Sequence, residues 1–444
     1  MRVSPAILIA SAALWAQDTL SLKDAVAAAL RQHPAAEAAS SQVLAAETRI
    51  AAARSGYLPK LNYSESFQRT NNPVYVFSAL LTQAQFTERN FAIGPLNRPD
   101  FLNNFQSQLS LDQPLYDGGQ TRLAVRSAQL GRKLASEDER HTRQQIIAGV
   151  VRTYFAALLA AESLKAADEA VRSAEADLER ARAIRAAGMS TDADVLSIQV
   201  HLAAMREQRI RRQADLEVAR AALNEALGLP LQTPHALTTP LTAVRLSETA
   251  LQDYEDRSLA ERPEARQAAL TVELAETERQ TARAAMLPQV VFHSAFQADR
   301  QRFVRRGAAN WLAAVSLRWN LFNGFADKQR SAESEHSLRR AQAERRRAEG
   351  LIRLGVHRAY ADWKAAGERI ETARAAVAMA EESLRITKNR YEAGLTNVTD
   401  LLRTESAALE ARNRFLAAVF DQRLAAVELA LAAGVLAPDS EVLN

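Results

Sequence analysis

The sequence predicts a mainly α-helical chain with a four-stranded β segment, built from a helix-strand-strand-helix-helix unit that occurs twice. Three observations carry this prediction. The chain repeats itself at a fixed spacing, it holds two helical patterns of roughly 70 residues each, and its apolar period shortens in four places from 3.6 to 2.

The repeat is anchored on Leu115-Tyr116-Asp117-Gly118 and Leu321-Phe322-Asn323-Gly324, 206 residues apart. The same offset aligns Tyr154 with Tyr360, Ala187-Gly188 with Ala393-Gly394, Asp194 with Asp400, and Leu227-Gly228 with Ala433-Gly434. Upstream the offset becomes 229, aligning Pro34 with Pro263 and Leu58-Pro59 with Leu287-Pro288. The difference is a 23-residue insertion in the first copy, between Leu58 and Leu115. The boundaries that follow are a signal peptide at 1–16, a first repeat at 17–228, a linker at 229–246, a second repeat at 247–434 and a tail at 435–444.

Each repeat opens with a helix. The first runs from Ser21 to Ser55, with Ser21-Leu22-Lys23-Asp24 supplying a capping pattern. Two strands follow at about 58–69 and 103–116 in the first copy, and at about 287–300 and 309–322 in the second. In the first strand Leu61, Tyr63 and Phe67 alternate with Asn62, Ser64 and Gln68. In the fourth, Trp311, Val315, Leu317 and Trp319 share the apolar face opposite Ser316 and Arg318. The long helices then span about 119–187 and 325–393, or about 100 Å each at 1.5 Å per residue. No proline interrupts them, and their apolar positions are mostly alanine, which permits close helix approach. Gly188 and Gly394 end them by taking the left-handed conformation, and shorter helices return to about Leu227 and Ala433.

Composition narrows the class. With 48% hydrophobic and 24% charged residues the chain is foldable, and a net charge of +4 with interleaved signs gives no nucleic-acid signature. There is no cysteine, so disulfides, thiolate zinc sites and an acylated N-terminal cysteine are excluded. Arg2, the apolar run Ala6 to Leu14 and the small residues to Ala16 form a secretory signal. Beyond it no uninterrupted apolar run reaches about 18 residues, so no transmembrane helix is expected. Four strands with aromatic residues on one face in an exported chain favour a lipid-facing barrel wall. One chain cannot close such a barrel. Two copies supply eight strands and three supply twelve.

These features together resemble the TolC family of outer-membrane efflux proteins. The resemblance rests on the duplicated order, the Leu-Pro before each first strand, the two turns into the long helices, and Arg390-Tyr391-Glu392-Ala393-Gly394. It implies a homotrimer with a twelve-stranded barrel in outer-membrane lipid and a twelve-helix periplasmic tunnel. It also implies a periplasmic adaptor and an inner-membrane pump as partners, with no cofactor and no catalysis. The hairpin tips that would meet the adaptor are Gly188, Met189, Gly394, Leu395 and Thr396. Matching by position makes Asp400 a ring of carboxylates at the constriction. Tyr391 and Asp194 become a pair that bonds across neighbouring hairpins. The chain departs from the family pattern at Arg403, where a second acidic residue is usual, and at Thr396, where a basic one is. The residues themselves also allow Asp194 and Asp400 to be carboxylates favoured by a helix N-terminus, and Tyr391 to be a packing residue.

Other signals are weak. The seven histidines show no metal-ligand spacing, Gly118-Gly119 lacks the lysine of a phosphate loop, and the run Arg339 to Arg347 is flanked by glutamate like a solvated helix face. The competing readings are a periplasmic adaptor and an exported coiled-coil scaffold without a channel. The insertion at about 70–104 could form an outer loop or an inward plug.

Overall fold

The computed structural model describes residues 18–246, 249–304 and 307–443. The predicted signal segment lies outside them. In chain order the elements are β1 (Asp18–Leu20), α1 (Leu22–Gln32), α2 (Pro34–Arg54), β2 (Lys60–Thr70), α3 (Pro73–Thr82), α4 (Ile93–Asn97), β3 (Leu102–Tyr116), α5 (Gln120–Ala186) and α6 (Asp192–Leu227). After β4 (His235–Leu237) come α7 (Leu251–Glu261), α8 (Pro263–Ala284), β5 (Gln289–Arg300), β6 (Ala308–Arg318), α9 (Ala326–Glu392) and α10 (Val398–Ala432). The helix-strand-strand-helix-helix order therefore occurs twice, and α5 and α9 are both 67 residues long.

The opening helix differs from expectation. It is two helices, α1 and α2, because Pro34 has no N–H to donate and forces the preceding residue into extended backbone. His33 has φ −70° and ψ 128°. The second copy breaks at the same place: Arg262, before Pro263, has φ −68° and ψ 130°. Ser21 does cap α1, accepting from the Asp24 amide at 3.2 Å.

The chain divides into two compact units that cut across the repeats, each drawing on both copies. The first holds residues 18–41, 136–267 and 346–443, apart from the two undescribed positions. Its main core gathers Leu22 and Val26 of α1, Ile147, Val151 and Phe155 of α5, Leu223 and Leu227 of α6, and Val427 of α10. Burying side chains of this size contributes about 1.5–3 kcal/mol each. The same core explains a window of α5 that is long and apolar enough to cross a membrane, which the sequence reading did not anticipate. Its Val150, Val151, Tyr154 and Phe155 are fully buried within protein.

The linker and the C-terminal residues are woven into this unit. β1 pairs in parallel with β4, setting Leu20 against Leu237. Tyr154 donates its hydroxyl to the Leu20 carbonyl at 2.8 Å and accepts from the Thr239 amide at 3.0 Å. Arg423, 3% exposed, donates to the Thr242 carbonyl and to the Val442 carbonyl, and its guanidinium stacks 5.0 Å from the Phe155 ring.

The second unit holds residues 42–135 and 268–345, apart from Arg305 and Arg306. It contains an antiparallel sheet in the order β2-β3-β5-β6. The segment between β2 and β3 is ordered as α3, a 3-10 turn and α4, with Phe77, Phe86 and Phe91 in edge-to-face contact.

Candidate functional site

Two places carry the candidate residues: the faces of the sheet and the ends of the helical hairpins.

The sheet keeps the predicted alternation across all four strands. Phe67 lies opposite Phe105, Leu109 opposite Phe296, Phe296 opposite Trp311, and Phe292 opposite Val315. This face is bare: Trp311, Val315 and Leu317 are 78%, 64% and 66% exposed. Its charged groups have partners: Arg300 donates to Glu65 at 2.9 Å and to Ser107 at 2.6 Å, and the Arg69 guanidinium lies 5.5 Å from the Phe101 ring. The opposite face carries Asn104, Gln106, Gln108 and Asp112 of β3 beside Asp299, Gln297 and His293 of β5. Trp319 falls beyond the strand, since β6 stops at Arg318; its indole donates instead to the Met286 carbonyl at 3.1 Å. The outer strands of the sheet, β2 and β6, each have one unpaired edge.

The hairpin ends are built alike. Gly188 and Gly394 take φ +76° and +72°, and in each the next amide reaches back, Met189 to Ile184 and Leu395 to Arg390. Met189 and Leu395 are thereby left exposed at the tips. Thr191 caps α6, and Asp194 closes the box by accepting from the Thr191 amide at 3.1 Å. The Thr191 and Ser190 hydroxyls add to this, and together they hold the Asp194 carboxyl below its usual range. In the second hairpin Asn397 caps α10 by accepting from the Asp400 amide at 2.9 Å, while Asp400 accepts from Thr396 at 2.9 Å. Both aspartates thus occupy helix N-termini. Asp400 and Arg403 are exposed.

Tyr391 is buried where the two hairpins pack, with Val195, Ile198, Val398 and Leu401. Its hydroxyl has no hydrogen-bond partner among the described residues. Burial raises its pKa, and the charges of Asp194 and Asp177 add to the effect. Tyr391 and Asp194 are therefore neighbours without a bond within one chain.

A charged cluster beside Tyr391 was not singled out from the sequence. Asp177 of α5 is fully buried, bound by Arg180 at 2.7 Å and by Lys388 of α9 at 3.3 Å. Glu405 of α10 accepts from Ser173 at 3.0 Å and lies 3.5 Å from His201 of α6. Burial and the adjoining Glu405 push Asp177 up to about 6, against the pull of Lys388. Glu405 is held low by His201, Asp177 and Ser173, which outweigh its own burial. A proton taken up by the pair is therefore favoured at Asp177 over Glu405. The available signal was a carboxylate within an apolar helix stripe, since Asp177 lies between Ala174, Leu178 and Ala181.

The folded hairpins hold that proton more tightly than an unfolded chain, whose aspartate titrates near 3.8. The stabilisation is full below pH 3.8 and is lost as pH rises towards 6. Asp177→Asn is expected to abolish this loss and to stabilise the hairpins at neutral pH by about 1–3 kcal/mol. Melting temperatures of both proteins between pH 4 and 7 check this. Parallel curves would contradict the assignment.

The chain belongs to the outer membrane efflux protein family, whose model matches residues 25–229 and 256–435. It is an outer-membrane channel subunit, and the family is one of channels rather than enzymes. Among curated relatives it is 28% identical to Protein CyaE of Bordetella pertussis, over 94% of this chain and 85% of that one. It is 25% identical to the alkaline protease secretion protein AprF of Pseudomonas aeruginosa, again over 94% and 85%. Among solved structures its fold matches CusC, with a TM-score of 0.79 at 17% identity over 95% of this chain and 94% of that one. It likewise matches the Campylobacter jejuni CmeC outer membrane channel, with a TM-score of 0.78 at 19% identity over 95% and 87%.

Proposed function

We propose that three copies of this chain form a passive exit duct for a polypeptide, joined by a periplasmic adaptor to an inner-membrane pump. The observation that carries this is the sheet itself: four strands with a bare apolar face and two unpaired edges. In hydrocarbon each unsatisfied edge group costs several kcal/mol, so the edges need β6 of one copy to meet β2 of the next. Three copies give twelve strands, within the range of outer-membrane barrels. The polypeptide cargo is inferred from relatives such as AprF and the proteases secretion protein PrtF of Dickeya chrysanthemi, both named for protease secretion.

The hairpin tips form the periplasmic mouth. Gly188, Met189, Gly394, Leu395 and Thr396 meet the adaptor. Asp400 lines the constriction as three carboxylates, attracting cations and slowing anions. Arg403, one turn on, stands where a second acidic ring would deepen that potential, so this mouth is the less acidic for it. Tyr391 and Asp194 belong to the contacts that hold the hairpins together at rest, and their release lets the tips move apart.

The purified protein should run as a trimer that falls to a monomer on boiling, and should conduct in planar bilayers. Asp400→Ala should raise the concentration of a trivalent cation needed for half-block by about tenfold, the equivalent of about 1.4 kcal/mol. A block unchanged by the substitution would remove Asp400 from the constriction. A monomer without conductance would remove the duct.

A further inference from the structure

The 31 residues between β2 and β3 are folded against one face of the sheet, and the register identifies which. Gln83, 3% exposed at the end of α3, donates to the Asn103 carbonyl at 3.0 Å and to the Asn104 side chain at 2.8 Å. Asn104 in turn donates to Asp299 at 2.7 Å. Asp299 is fully buried and also accepts from Gln106 at 3.3 Å and Gln297 at 2.7 Å. Asn104, Gln106 and Asp299 all belong to the polar face, opposite the one that bears Trp311 and Phe296. Leu102, in register with them, is buried and lines a cavity of about 360 Å³ with Val76, Phe77, Leu80 and Phe86 of the same segment. The helix α3 lies against β3, β5 and β6. The segment thus covers the side of the sheet that faces away from lipid.

Its place along the strands is also fixed. β2 follows α2 and β3 precedes α5, so their connection lies at the end of the sheet away from the helices. In an outer-membrane channel whose helices extend into the periplasm, that end is the outer mouth.

We propose that this segment is a plug, clamped into the barrel lumen by Gln83 and the Asp299 network, that sets the size of cargo able to leave. The proposal rests on the three-copy barrel proposed above. Twelve strands spaced about 4.8 Å apart and tilted about 40° enclose a backbone diameter of roughly 24 Å. Three helices with side chains, each about 10 Å across, need roughly 21 Å when packed in a triangle. The lumen-facing side chains of the wall narrow that width further, so three docked plugs leave no open bore. The side of the segment turned away from the sheet fits this arrangement. Val74, Tyr75 and Ile93 are 74%, 57% and 79% exposed, an apolar surface poorly suited to a water-filled lumen but suited to the plugs of the two other copies. A polypeptide in transit must then break the Gln83 and Asn104 bonds in each copy, which makes the outer mouth a second gate in series with the tips.

The test uses the absence of native cysteine. Ser110, on the polar face midway along β3, lies below the plug and is replaced as Ser110→Cys. Intact cells are then labelled from outside with a bulky, impermeant maleimide. Labelling is expected to be slow in the otherwise native protein. It should be at least tenfold faster when residues 73–99 are replaced by a short turn, or when Gln83→Leu and Asp299→Asn release the clamp without deletion. Equal rates in clamped and released proteins, both recovered as outer-membrane trimers, would overturn the plug and leave the channel intact. A protein recovered as a soluble monomer would overturn both.

Discussion

Gly434→Ala is expected to destabilise the protein by about 2–4 kcal/mol, far more than the same change at Gly394. Both glycines take a left-handed φ, at +75° and +72°, which costs an alanine about 1–2 kcal/mol. Around Gly394 an added methyl meets nothing within 4 Å, so the conformational cost is all there is. At Gly434 it would lie 2.7 Å from the Arg262 amide nitrogen and 2.8 Å from its Cα, and backbone cannot swing aside as a side-chain tip can. The displacement would also pull the Gly434 carbonyl from Gln144, which donates to it at 3.1 Å from a buried position. The first repeat holds the equivalent contact. Gly228, at φ +72°, would bring its methyl within 2.9 Å of the Gln32 carbonyl oxygen and 3.2 Å of the His33 Cα. Each second helix thus ends against the break before the proline of its own repeat, and Gly228→Ala should match Gly434→Ala. Denaturant midpoints for the three variants measure this. Equal losses at Gly394 and Gly434 would mean that the close approach contributes nothing.

Arg423→Ala is expected to cost about 2–4 kcal/mol and to expose the linker to proteolysis near Thr242. The side chain is a buried cation whose bonds go to carbonyls on two separate segments, Thr242 of the linker and Val442 near the C-terminus. Burial lowers its pKa, yet no accessible pH neutralises a guanidinium, so the carbonyls and the Phe155 face must stabilise the charge. Alanine leaves buried carbonyls short of a donor and a void beside Phe155. Lysine would restore the charge but not the fork, and should recover less than half of the loss. Limited proteolysis with mapping of the first cut checks the linker. A first cut in either hairpin tip of the variant would show that Arg423 is not its tether.

How far the sequence could be read depended on the range over which each feature is set. The strand faces were legible because the period of two acts locally, and the pairing of Phe296 with Trp311 follows once the two runs are aligned. The hairpin ends were legible because Gly188 and Gly394 mark left-handed turns by composition alone. The break at His33 is legible in Pro34, since a proline restricts the residue before it to extended backbone. Other features depend on partners far apart in the chain. Asn104 binds Asp299 across a sequence separation of 195 residues, and nothing local turns the β2–β3 segment inward. Asp177 and Glu405 meet only once four helices have packed, so neither reads as one half of a carboxyl pair. Arg423 looks like any arginine on an amphipathic helix.

The parallel pairing of β1 with β4 bears on the order of assembly. Leu20 reaches its partner Leu237 only after 217 further residues have been made. At about 5–20 residues per second, synthesis alone imposes a wait of roughly 10–40 s. Through that interval the Leu20 carbonyl also lacks Thr238, whose amide it accepts at 3.1 Å in the finished protein. Tyr154 arrives earlier and can bind the Leu20 carbonyl, but its own acceptor role stays unfilled until Thr239 appears. The first-made strand is therefore among the last to be fixed, and a nascent chain stalled before residue 235 should leave its N-terminal residues open to a protease that the completed protein resists.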